Sequence, residues 1–529
     1  MILVKKLWSK LCVLCVLLSA SACNMSTNSD SPERPLLRLN DVSVFEGQRS
    51  EDGITESFLG VPFAQPPVAA LRWAPPQPLQ MTQGIYQADT FAPACMQGDH
   101  IAKWYQNVAA EFGGDPTLIK QPKVSEDCLY LNLWRPVQDK ENPQALPVIV
   151  YIHGGSNKAG WSYEPNYIGH NLAAKGVIVV SIAYRVGVFG FFSHPSLVPA
   201  NFGLLDQVAA LQWVTDNIEN IGGDSQNITV MGESAGANNI DYLMVMPSSK
   251  GLFSKVIHQS GGSSLTNRSV REAHLALGHV FAQQTVGDDV DDPIQAMRQL
   301  SADTISQAAD TVFKNHYFDA VVDGHSVMES IMDSLRTGKM HAVDLLIGSN
   351  DDEWLMYMGD QPDIEGWLDA EVAPSSVGTL HAILADEIDD RRKLDLLRTA
   401  KYYVCPSLVL AQEVSNVGRR AWVYHFTRQR EGDLAATMGA YHGAELPYVF
   451  DTHDVWLPTV DADHRLTKVM QSYWVNFATN GNPNQSDLQP WLPFKSDSRK
   501  IQSIGIRFTR RSTPVSHCVH FCRPHKINR

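Results

Sequence analysis

Gly232-Glu233-Ser234-Ala235-Gly236 is the only G-x-S-x-G in the chain, and it is where chemistry is easiest to read. A strand that turns at once into a helix leaves no room for side chains beside the turning residue. Glycines therefore flank it, and the serine hydroxyl is pushed outward. A hydroxyl is a weak nucleophile until a base takes its proton, and that base needs an acid to hold its tautomer. Of the 18 histidines, His442 stands out because it sits in the Gly-flanked loop Gly439-Ala440-Tyr441-His442-Gly443 after an apolar run. The chain order nucleophile, acid, histidine then places the acid between Ser234 and His442. Asn350-Asp351-Asp352-Glu353 supplies three carboxylates there. Together these residues suit acyl transfer through a covalent serine intermediate.

Positioning such groups asks for strands that end where the motifs begin. Val148 to Ile152 and Val177 to Ile182 are β-branched runs bounded by glycine, as buried parallel strands are. Leu204 to Asn220 carries apolar residues on one helical face. Ile228 to Met231 runs straight into the serine turn, and a helical pattern continues to about Met246. Further strands are expected at Lys255 to His258, Leu345 to Gly348 and Ala421 to Phe426. Alternation of this kind predicts an α/β fold: a large, mostly parallel central sheet flanked by helices, with its site at the carboxyl ends of the strands.

Four further segments carry a family resemblance. They are Phe58-Leu59-Gly60-Val61-Pro62-Phe63-Ala64-Gln65-Pro66-Pro67, Ser125 to Asn132, Tyr184 to Phe191 and Tyr441 to Pro447. With the serine turn, they make the chain resemble the type-B carboxylesterases, the group that includes cholinesterases and lipases of the α/β-hydrolase fold. The resemblance implies an active site at the base of a gorge and a catalytic triad of Ser234, Glu353 and His442, with Asp351 and Asp352 as flanking residues. It also implies an oxyanion hole of Gly155, Ser156 and Ala235, in which His153-Gly154-Gly155-Ser156 follows the strand ending at Ile152. Glu233 and Ser260 match supporting positions behind the site. Phe318 is expected at the acyl pocket. Cys95 and Cys128 match a disulfide at the gorge rim. Cys405 matches a partner of one C-terminal cysteine, Cys518 being favoured over Cys522. Arg72 with Glu126 and Arg185 with Asp206 match buried ion pairs. Departures are Ile221 for a Phe before the nucleophile, Ser156-Asn157 for a third glycine and an aromatic, and Trp354 for the Gly after the acid.

Composition bounds the rest. The 529 residues carry 44% hydrophobic and 19% charged side chains, which suits a sizeable core and excludes wholesale disorder. Lys5-Lys6, the apolar run Leu11 to Leu18 and the small residues before Cys23 read as an export leader over residues 1–22, too short to span a bilayer. Two processing routes fit: plain secretion, or lipidation of Cys23 in a bacterial-type lipoprotein with residues 23–34 as a polar tether. A single domain is expected over residues 35–529. Losing the leader removes Lys5, Lys6 and Lys10 and no acid, so the formal charge moves from −14 to −17. That charge argues against nucleic acid as a partner.

A membrane enters only through the possible anchor at Cys23. The mature chain has no C-x-x-C spacing, which argues against a zinc site, and no metal or cofactor is expected. The expected partner is a small-molecule ester, neutral rather than a choline ester, because Thr117 to Val124 holds no aromatic and Trp104 lies far from Cys128 in sequence. Activity is expected to fall below about pH 6.5, the ordinary histidine value. The basic tail containing Arg510 and Arg511 is expected to be loosely ordered. Rival readings are an inactive binding module of the same fold and an amidase using the same triad.

Overall fold

In the computed structural model, residues 34–39, 43–138, 144–266, 271–432, 435–495, 500–506 and 509–512 are described. Residues 1–22, read as an export leader in the sequence, and Cys23, Cys518 and Cys522 lie outside them. From Pro35 onward the contacts gather the chain into one unit.

Its centre is a sheet of eleven strands. In chain order they are β1 (Gln48–Arg49), β2 (Thr55–Pro62), β3 (Tyr130–Pro136), β4 (Leu146–Ile152), β5 (Ile178–Ile182), β6 (Gly223–Glu233), β7 (Lys255–Gln259), β8 (Asp344–Asn350), β9 (Ala421–Phe426), β10 (Lys500–Ile504) and β11 (Thr509–Ser512). Across the sheet the order is β11-β10-β9-β8-β7-β6-β4-β5-β3-β2-β1. From β10 to β5 all neighbours are parallel, and the strands outside that stretch pair antiparallel. Arg510 and Arg511 lie in β11, paired with Gln502 and Ile501 respectively, so this part of the basic tail is ordered as an edge strand rather than loose.

Both faces of the parallel strands are buried, and the alternation of residues shows it. In β4, Val148, Val150 and Ile152 join one hydrophobic cluster while Ile149 and Tyr151 join the other. In β8, Leu345 and Ile347 face the first and Leu346 the second. A period of two with apolar residues on both phases is what a sheet covered by helices on each side requires.

Among those helices are α1 (His100–Glu111), α2 (Phe202–Asn217), α3 (Ala235–Leu243), α4 (Asp390–Thr399) and α5 (Cys405–Asn416), and a π turn over Ala400–Val404 joins the last two. No helix among the described residues is long and apolar enough to cross a membrane.

Covalent and ionic ties lie where the resemblance puts them. Cys95 and Cys128 are disulfide-bonded. Cys405 is buried and disulfide-bonded as well, while its pairing with Cys518 falls outside the described residues. Arg72 grips Glu126 through two contacts of 2.6 Å, and Arg185 grips Asp206 at 2.8 and 2.7 Å. Bidentate geometry compensates such buried charges for lost water.

Candidate active site

The parallel strands deliver the site residues to one edge. Ser234 follows β6 directly and caps α3 with φ 55° and ψ −124°, a conformation that L-residues avoid. The glycines around it have no space to spare. A Cβ on Gly236 would stand 2.1 Å from the Ile152 carbonyl oxygen, and one on Gly232 would stand 2.8 Å from the Gly236 carbonyl carbon.

His442 Nε2 lies 2.8 Å from Ser234 Oγ, and Nδ1 lies 2.6 Å from Glu353 Oε2. Glu353 also accepts from the Asn350 N–H at 2.7 Å. The other two carboxylates have separate work. Asp351 meets His425 Nε2 at 2.7 Å, and Asp352 accepts from the Ala440 N–H at 2.7 Å and from Gln429 at 3.1 Å. Asp352 thereby pins the loop that presents His442. Trp354, whose N–H donates to Asp395 at 2.7 Å, lies against the cavity instead of leaving the open space a glycine would.

Behind this row sits a buried polar network. Asn350 Nδ2 donates to Glu445 Oε2 at 2.7 Å and to the Tyr441 carbonyl at 2.8 Å. Gln259 donates to Glu445 Oε1 at 2.8 Å. It ties the ends of β7 and β8 to the His442 loop. Glu445 was not singled out in the sequence, although its place in the His442 motif is a signal. Ser260 is buried after β7, with its N–H donated to Gly348 O at 2.8 Å and its Oγ without a protein partner among the described residues.

The His153 to Ser156 loop lies beside the serine. Gly155, Ser156 and Asn157 all have positive φ, at 96°, 58° and 52°. Asn157 exchanges two hydrogen bonds with Asn239 of α3, at 3.2 and 2.9 Å, which fixes the loop despite the departure from glycine and an aromatic. Among the described residues, neither the Gly155 nor the Ser156 N–H has an acceptor in the protein. Both residues line the cavity with Ser234 and Ala235.

Electrostatics centre on His442. Burial opposes its charged form, but Glu233 and then Glu353 outweigh burial and push its pKa up to about 9. Glu233 Oε1 stands 3.2 Å from Nε2, and burial pushes Glu233 itself up to about 8. Glu164, pushed up to about 7 by burial, accepts from Tyr105 and from the Trp161 N–H. No feature of the sequence marked Glu164.

The cavity measures about 890 Å³ and runs from Ser234 to a wall formed by α1, the Trp354 segment and the π turn. Trp104 lines it, with Nε1 donating to Tyr357 Oη at 3.0 Å. An aromatic ring is therefore present in the cavity, contrary to the expectation from its distance to Cys128 along the chain, because α1 carries Trp104 to the cavity that Ser234 also lines. Phe318 faces away, packed on Phe313, and its neighbours Tyr317 and Asp319 line the cavity instead. Among the described residues, His453, Asp454 and His464 bring possible ligand atoms within 4.8 Å of one another, but none of them lines the cavity.

A family model described as the carboxylesterase family matches residues 41–373 and 378–521. The chain belongs to the carboxylesterase family. It is 30% identical to the para-nitrobenzyl esterase of Bacillus subtilis, with 88% of this chain and 94% of that protein aligned. It is 32% identical to the cocaine esterase of Homo sapiens, with 84% of this chain and 83% of that one aligned. A solved PNB esterase structure superposes with a TM-score of 0.79 at 28% identity, covering 93% of this chain and all of that one. The fold is thus that of the PNB esterases, the α/β-hydrolase fold, and this carboxylesterase is a serine carboxylic ester hydrolase.

Proposed function

We propose that Ser234, His442 and Glu353 hydrolyse carboxylic esters through an acyl-enzyme. The observation that carries this reading is the unbroken chain from Ser234 Oγ to His442 Nε2 and from Nδ1 to Glu353. Glu353 keeps the proton on Nδ1, so the Nε2 lone pair faces the serine. Nε2 takes the Oγ proton as Oγ attacks the ester carbonyl carbon. The carbonyl oxygen becomes an oxyanion facing the N–H groups of Gly155, Ser156 and Ala235. One such donor is worth about 3 to 4 kcal/mol of transition-state stabilisation. The imidazolium then hands its proton to the leaving alcohol oxygen. Water attacks the acyl-enzyme, giving its proton to Nε2, and collapse returns that proton to Ser234 Oγ.

Glu233 serves the charged moment of this cycle. A neutral Glu233 sits easily beside an unprotonated Nε2, and its carboxylate form stabilises the imidazolium. Ser234→Ala tests the assignment with 4-nitrophenyl butyrate: turnover is expected to fall at least a thousandfold with the melting temperature held. Wild-type-like turnover would remove Ser234 from the role. Matched ester and amide substrates separate this reading from an amidase, and turnover of the ester separates it from a binding module.

A further inference from the structure

Arg398 closes the last turn of α4 and lines the same cavity as Ser234. Its guanidinium carbon lies 5.3 Å over the Trp354 ring. Its Nε is buried without a hydrogen-bond partner, and among the described residues no carboxylate pairs with its guanidinium. Other charged groups share the cavity wall. Lys401 is bonded to Glu371 and stacks on Trp367 and Tyr402. Asp319 lines the same cavity and interacts with another residue. Glu233 and Glu164 are both pushed toward neutrality by burial. A guanidinium held over a ring and left without a counter-charge is a ready-made fork for a carboxylate.

Its place relative to the reacting bond can be followed ring by ring. Tyr403 lies 5.4 Å from His442, and Trp354 lies 6.3 Å from Tyr403 and carries Arg398. The position after the acid, where the resemblance leads one to expect glycine, thus holds the ring that orients the cation. We propose that Arg398 is a carboxylate-binding subsite, so that the enzyme favours esters bearing a free carboxylate several carbons from the scissile bond. The proposal rests on Ser234 being the nucleophile of this cavity.

Two substrate series test it, because the carboxylate can reach Arg398 from either side of the ester. On the acyl side, 4-nitrophenyl half-esters of adipic, suberic and sebacic acid are compared with 4-nitrophenyl hexanoate, octanoate and decanoate. On the alcohol side, the butyrates of 6-hydroxyhexanoic and 8-hydroxyoctanoic acid are compared with hexyl and octyl butyrate. The reading is the ratio of kcat/KM for the charged ester to that for its neutral match, which cancels any general loss of activity. In at least one series this ratio should fall tenfold or more in Arg398→Gln and take an intermediate value in Arg398→Lys, which keeps the charge and loses the fork. A ratio unchanged in both series in either folded variant would overturn the proposal while leaving Ser234 in place. Calorimetric binding of the sebacate half-ester to Ser234→Ala, and its loss in Ser234→Ala with Arg398→Gln, gives a readout that does not depend on turnover. Equal binding by the two proteins would also sink the subsite.

Discussion

Glu233 and Glu353 together raise the pKa of His442. Burial alone would depress the histidine, and the carboxylates of Glu233 and Glu353 reverse the sign, raising it to about 9. In the proposed mechanism only neutral His442 accepts the Ser234 proton, so activity is expected to be lost as pH falls through the raised value. Below about pH 8 Glu233 takes up a proton, its pull on His442 fades, and the two groups titrate as a pair. The acid limb of kcat/KM is therefore expected above the ordinary 6.5, not at it, and Glu233→Gln should shift the limb to lower pH. A limb at or below 6.5 in the wild type, or one that does not move in Glu233→Gln, would contradict this assignment. Such couplings are not legible in a sequence. Ser234 and His442 were, because the glycines around them have steric reasons to be there. Glu353 is set apart from Asp351 and Asp352 in the sequence only by resemblance. In the structure each carboxylate answers a different donor, and Glu353 is the one bonded to His442, which supports the proposed role.

At the level of elements, the junction of β6 and α3 is the least forgiving part of the chain. The strain held at Ser234 costs roughly 1 to 3 kcal/mol and has to be borne by the surrounding packing. Gly236→Ala would drive a methyl group into the end of β4, from which the Gly155 loop hangs. Overpacking of this kind costs roughly 1 to 3 kcal/mol, so the melting temperature should drop by several degrees. Turnover of 4-nitrophenyl butyrate should fall at least a hundredfold, because both oxyanion donors and nucleophile are displaced; a variant as active and stable as wild type would refute the packing argument. The buried strands β4 to β9 were readable as apolar runs that end at motifs. β6 starts five residues before its apolar run at Ile228, and Gly223 to Asn227 carries no strand pattern because it is polar. The π turn over Ala400–Val404 had no sequence signal at all. Its extra residue per turn sets Lys401, Tyr402 and Tyr403 along the cavity, a wall that periodicity at 3.6 residues would not place there.

For the molecule as a whole, chain order and spatial order nearly coincide. Only β4 and β5 exchange places, and Ser234 follows β6, the strand beside β4 at this reversal. That is where an open parallel sheet leaves a crevice. The architecture was therefore recoverable from alternating strands and helices, whereas the cavity wall was not, because it is assembled from segments as far apart as α1 and the π turn. α1 lies inside the loop that Cys95 and Cys128 close over a separation of 33 residues. In terms of chain entropy, closing such a loop removes about 3 to 4 kcal/mol of freedom from the unfolded chain. Tyr105 and Val108 still anchor α1 to the core without it. Replacing both cysteines by serine should thus lower the melting temperature and raise KM more than it lowers kcat; the opposite split would place the bridge in the chemistry itself. What the bridge narrows is a distribution: with it, arriving substrates meet one width of gorge at Trp104, and without it they meet many.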